Sequence, residues 1–197
     1  MPSVYEGLMM DNNFDTTPFE LAMRSYQASQ NATHLAGHTP QWVIECQDIF
    51  NSTSKEEWGG NGTPCLWVKL GSKRLISHDC SGQLTGDGRI LPSDTVVCMK
   101  HGTWGPMLEM CMWNHVTLAN VKIHRIMQAQ GETVILQTFE HTTCCVKNYQ
   151  QEGDYIEFSF NFMMFKDIFI KYDKEGGKVG QVASFYNYET LESDIEA

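Results

Sequence analysis

No run in this 197-residue chain approaches the ~20 consecutive apolar residues that a membrane-crossing helix needs. The stretch from Met1 to Asn13 also lacks the basic-then-apolar order of a secretory signal. The expectation is therefore a chain made in the cytosol, without membrane insertion, whose export would use a signal-independent route. Positive charge is scarce as well: 14 Lys and Arg stand against 24 Asp and Glu, a net charge of −10. Nucleic-acid surfaces concentrate Lys and Arg to neutralise phosphates, so nucleic acid is excluded as a partner. Also missing are CxxC, HExxH, GxGxxG, any internal repeat and any low-complexity tract.

What is present fits one ordinary β-rich domain with an appendage. Hydrophobic residues make up 42% of the chain, enough for a sizeable core. Seven cysteines form an odd set, and most lie inside apolar or alternating runs, where a thiol behaves as a small hydrophobe in a reducing compartment. Three Asn-x-Thr triplets, at Asn31, Asn51 and Asn61, read as chance matches in polar loops, because glycosylation needs a secretory route that the sequence does not signal.

Thr17-Pro18-Phe19-Glu20 has the form of a capping box with proline in the first turn. From Phe19 to about Gln30, Phe19, Ala22, Met23 and Tyr26 recur at three- and four-residue spacing, so a short helix with one apolar stripe is expected. Gly37 and Pro40 end that segment, which sets residues 1–39 apart as an N-terminal extension. Beyond Pro40 the period becomes two: Trp42, Ile44 and Cys46 alternate with Val43, Glu45 and Gln47. Strands are expected at Cys65–Leu70, Arg74–His78 and Asp94–Lys100, with the Gly-rich stretch Ser81–Arg89 between the last two. Thr103-Trp104-Gly105-Pro106 opens a second short helix ending by about Asn114, with Pro106 placed at its first position. Strands are then expected at Leu118–Met127, Thr133–Phe139, Thr142–Tyr149, Tyr155–Met164, Asp167–Tyr172 and Val182–Glu189. Ile156, Phe158, Phe160 and Phe162 should share one face. Strands at this spacing, separated by Gly-containing turns, indicate a sandwich or a barrel.

The chemistry-bearing residues give little pattern. His34 and His38 are four apart but flank a helix-breaking stretch, and two ligands without a third hold zinc poorly. His141 precedes Cys144 and Cys145 on an alternating segment that should aim the two thiols at opposite faces, one buried and one at the surface. No local cysteine-protease signature surrounds any cysteine. Met107 and Met112 are read as core-filling. Residues 191–197 are read as an acidic tail. No cofactor, metal or catalytic residue is expected, with a Cys/His-dependent enzyme and a monomeric β-rich binding module as the competing readings.

Three stretches resemble the Hcp (haemolysin-coregulated protein) family of type VI secretion. Ser81-Gly-Gln-Leu-Thr-Gly-Asp-Gly-Arg89 is similar to the family's SGQ-x-TG-x-R loop, with one extra residue before the arginine. Gly105 to Arg125 has the family's order of short helix, turn and strand ending in arginine. Glu152 to Phe160, followed by Ile170-Lys-Tyr172 and the Gly-rich turn 176–180, is similar to its late strands. Residues before about Pro40 have no counterpart.

The resemblance implies a closed antiparallel β-barrel with one short flanking helix over residues 40–190, beside the short N-terminal helical extension. It implies a structural role without catalysis: subunits forming hexameric rings, stacking into a tube, expelled by a contractile sheath, and carrying small effectors in the lumen. Sheath, spike and baseplate proteins would be the partners, with assembly in the bacterial cytoplasm before secretion. The related phage tail-tube proteins are the alternative. Ser81, Gly82, Gln83, Thr85, Gly86 and Arg89 would form a ring or stacking interface. The unmatched residues 1–39 suggest a docking arm on a neighbouring subunit or a small fused cargo, the arm being favoured because Phe19 to Gln30 is too short to fold alone.

Overall fold

A computed structural model of the chain describes residues 42–50, 62–74, 77–78, 84–85, 90–129, 132–173 and 175–196. The expectations for residues 1–41, including the first helix, His34 and His38, and for Cys80 lie outside them.

The alternating strands close on themselves. A sheet runs through β1 (Trp42–Glu45), β2 (Thr63–Lys69), β7 (Thr95–Lys100), β8 (Thr117–Ala129), β9 (Glu132–Glu152) and β10 (Tyr155–Tyr172). The order is β10-β7-β2-β1-β8-β9, and β9 returns to β10, so six antiparallel strands form a closed barrel. Closure satisfies both backbone edges of the wall, which is why so many short apolar strands can coexist without a free edge. The expected barrel is present, with one described helix, α1 (Trp104–Trp113).

One strand belongs to two structures. Along one edge, β10 pairs with β7 from Tyr155 to Phe160 and with β11 (Lys178–Asn187) from Met164 to Tyr172. β11 in turn pairs with β12 (Glu192–Glu196), so β10, β11 and β12 continue the wall as a sheet beyond the barrel. Residues 192–196, expected as an acidic tail, are thus hydrogen-bonded to β11.

The core follows from alternation. Ile156, Phe158, Phe160 and Phe162 are all buried, as their spacing predicted, together with Ile44, Val97, Met99, Val121, Ile123, Leu108 and Cys111. Alternation then skips one step at a shared level. The inward residues are Leu118 then Val121 on β8, His141 then Cys144 on β9, and Phe162 then Phe165 on β10. The pairing register is the same on either side of this step, as Leu118↔Cys144 and Asn120↔Thr142 show. Three adjacent strands therefore change the side they show to the core together, the mark of a corner where a sheet bends.

Thr143 lies in that step with φ of 56°. A left-handed backbone costs a β-branched residue roughly 1–2 kcal/mol, so the corner is held against local preference. Thr143→Gly is expected to raise stability by up to about 1 kcal/mol, whereas Thr142→Gly next to it lowers stability by a similar amount. Urea unfolding of both variants separates the two signs, and equal losses would rule out the strain.

Helix α1 runs from Trp104 to Trp113 with Asn114 as its C-cap, which matches the expected end. It begins two residues earlier than expected, so Pro106 occupies the third position; a missing N–H is still harmless there, within the first turn. Leu108 and Cys111 face the core.

Candidate assembly surface

Polar side chains inside and around the wall are tied into structural contacts. His141 is fully buried among Phe160, Phe162 and Phe165. Its Nδ1 lies 3.3 Å from the Val121 carbonyl and its Nε2 3.1 Å from the Thr95 hydroxyl. A carbonyl only accepts, so Nδ1 carries the proton and Nε2 accepts from Thr95. Burial pushes the ring down to about 4, against the opposing pull of the Val121 bond. The imidazole is thus held neutral, joining β7, β8 and β9.

Beside it, the register places Glu45, Lys122 and Glu140 in one row across β1, β8 and β9, with Val43, His124 and Thr138 in the next. Lys122 meets Glu140 at 2.8 Å. His124 bridges Thr138 at 2.9 Å and Glu45 at 3.5 Å. Asp94, buried just before β7, takes Lys147 of β9 at 2.7 Å. Such cross-strand pairs stabilise the sheet in its register.

The thiols are similarly placed for packing. Cys46, Cys65, Cys98, Cys111 and Cys144 are buried and Cys145 is exposed, so Cys144 and Cys145 do point to opposite faces. Burial raises the pKa of Cys46, Cys65, Cys111 and Cys144, with Cys144 reaching about 12, which makes these four poor nucleophiles at neutral pH. Among the described residues no three His, Cys, Asp or Glu gather as a metal site.

Three features remain for contacts. The first is an antiparallel ribbon between β2 and β7: β3 (Ser72–Arg74) pairs with β6 (Ile90–Pro92), and β4 (Ser77–His78) with β5 (Leu84–Thr85). The stretch expected as a Gly-rich separator is therefore partly paired backbone. Of the expected interface residues, Thr85 pairs with Ser77; Ser81, Gly82, Gln83, Gly86 and Arg89 lie outside the described residues. The second is the sheet beyond the barrel, where Phe169, Val179, Leu191 and Ile195 are exposed. A cleft of about 160 Å³ opens where β10 changes partner, lined by Leu70, Gly71, Thr95, Phe162, Phe165 and Tyr188.

The third feature was missed. Met112 packs on the core as expected, but Met107 does not: it lies with Met110 and Trp113 on the outward face of α1. The signal was available, since WGPMLEMCMW carries a single charge, Glu109, and so has no polar face to give to water.

No protein-family model matches the chain, and no curated protein matches it in sequence. Solved structures do match. A type six secretion system protein superposes with a TM-score of 0.67 at 12% identity, covering 78% of this chain and 98% of its own. Hcp1 from Salmonella typhimurium gives 0.60 at 10% identity, covering 78% and 97%. A variant of Hcp1 from an E. coli EAEC pathovar gives 0.54 at 8% identity, covering 79% and 95%. Between 95% and 98% of each of these proteins is covered by the match: the fold of this chain is the Hcp fold.

Proposed function

We propose that this chain is a tube subunit of a type VI secretion apparatus, assembling head to tail into hexameric rings that stack and are expelled by sheath contraction. The observation that carries the reading is the structural match over 98% of a type six secretion system protein and 97% of an Hcp1. The arrangement suits the role. A ring that also stacks needs different surfaces at its sides and ends, and the ribbon between β2 and β7 and the β10–β12 sheet are distinct extensions of one wall. The buried, protonated thiols and the neutral, enclosed His141 favour a structural over a catalytic protein.

In this reading Ser81, Gly82, Gln83, Thr85, Gly86 and Arg89 make the ring or stacking contacts, and sheath, spike and baseplate proteins engage the finished tube. Small effectors would travel in the lumen, and the chain would assemble in the bacterial cytoplasm before secretion. Negative-stain electron microscopy with light scattering over a range of concentrations tests the central claim. Rings or stacked tubes are expected, and Arg89→Glu should shorten or abolish the stacks. A chain that stays monomeric at every concentration overturns ring assembly by the protein itself.

A further inference from the structure

Helix α1 has two apolar sides and only one of them is covered. Leu108 and Cys111 fill the core, while Met110 and Trp113 remain 49% and 66% exposed, flanked by Met107 and followed by Val116 at the turn. A helix apolar all round is normally enclosed, so this face calls for an occupant. Methionines on such a face adapt to an irregular apolar partner, and tryptophan supplies a large anchor.

The sequence contains a segment with the complementary need. Residues 17–30 carry Phe19, Ala22, Met23 and Tyr26 at helical spacing, and a helix that short is not stable in water unless its stripe is buried. Chain length allows the meeting. The segment joins the barrel through Trp42, which pairs with Arg125, eight residues along β8 from its start at Thr117 beside α1. Eight strand residues span roughly 26 Å, whereas the sixteen residues from Tyr26 to Trp42 reach up to about 53 Å when extended.

We propose that the Met107–Met110–Trp113 face of α1 is the seat of the chain's own N-terminal segment, docked through Phe19, Met23 and Tyr26. A tether of this length serves docking onto the same subunit or onto a second copy, and the chemistry of the seat is the same in both.

The test is site-specific photo-crosslinking in the full chain, with a benzoylphenylalanine at position 110, read by peptide mass spectrometry. Crosslinks to residues 17–30 are expected, and Phe19→Asp with Tyr26→Asp should lower their yield by at least about tenfold, since losing even one large buried apolar side chain is on that scale. Mixing isotopically labelled and unlabelled chains assigns the crosslink to the same or to a second copy. Crosslinks to the barrel of another copy, or none to residues 17–30, overturn the proposal. Hydrogen exchange of residues 104–113 gives an independent reading without the photoreactive group: unchanged uptake in the double Asp variant also overturns it. Neither readout depends on tube formation, so the proposal can fail while the tube reading stands.

Discussion

Phe160→Ala is expected to lower the unfolding free energy by about 3–5 kcal/mol, a large part of the ~5–15 kcal/mol that a domain has available. Phe160 is fully buried and pairs with Thr95 on one side and Val146 on the other, so it sits in the wall with both edges bonded. Its ring meets His141 edge-on at 5.1 Å and lies 6.3 Å from Phe158. Removing it leaves a hole between strands that closure prevents from sliding together, and the cost of such a substitution grows with the cavity that persists. Phe169→Ala is the control, on the same strand but beyond the barrel and 41% exposed, and should cost about 1 kcal/mol. Urea unfolding at one fixed protein concentration compares them, since assembly would otherwise add to apparent stability. Similar costs would mean that β10 is not divided between a packed wall and a peripheral sheet.

Acidification should act through His141. Its folded pKa of about 4 lies below its ordinary value of 6.5, so between these values the unfolded chain binds a proton that the folded chain refuses. Stability contributed by the neutral ring is complete above about pH 6.5 and is lost as pH falls toward about 4, with a full range of roughly 3 kcal/mol and about 2 kcal/mol gone by pH 5. His141→Gln, which retains an amide donor and a carbonyl acceptor, should lower stability at neutral pH yet remove this slope. Urea midpoints measured from about pH 7.5 to 4.5 decide it. Parallel slopes in the two proteins would place the acid sensitivity elsewhere.

How far the fold could be read beforehand depended on whether alternation ran unbroken. Ile156 to Phe162 was legible because four inward side chains occupy every second position. The longer spans of β9 and β10 were not, because inward residues three apart, His141 to Cys144 and Phe162 to Phe165, look like an interruption. The chain does not leave the sheet there; the sheet turns a corner, and only contacts across three strands reveal that. His141 escaped notice as a core residue because its two hydrogen bonds come from Thr95 and Val121, remote in sequence. The stretch Ser81–Arg89 was read as a Gly-rich separator, and the paired pieces on either side and within it were hard to see because they are only two or three residues long. Met107 was assigned to the core as a methionine beside Leu108, Cys111 and Met112 in one apolar run, and the charge-poor outward face of α1 was the better guide.

The order of strands in the wall also sets an order in time. β8 to β12 form a meander in which each strand pairs with the next, whereas β1, β2 and β7 reach the wall only through β8 and β10. Local pairings form quickly and distant ones slowly, because the intervening chain must first be ordered. During synthesis β1, β2 and β7 emerge first; β1 finds its partner once residues 122–125 of β8 follow, but β7 keeps an unpaired edge until Tyr155–Phe160 arrive. That interval, rather than the finished barrel, is when the nascent chain is most exposed to pairing with the wrong strand.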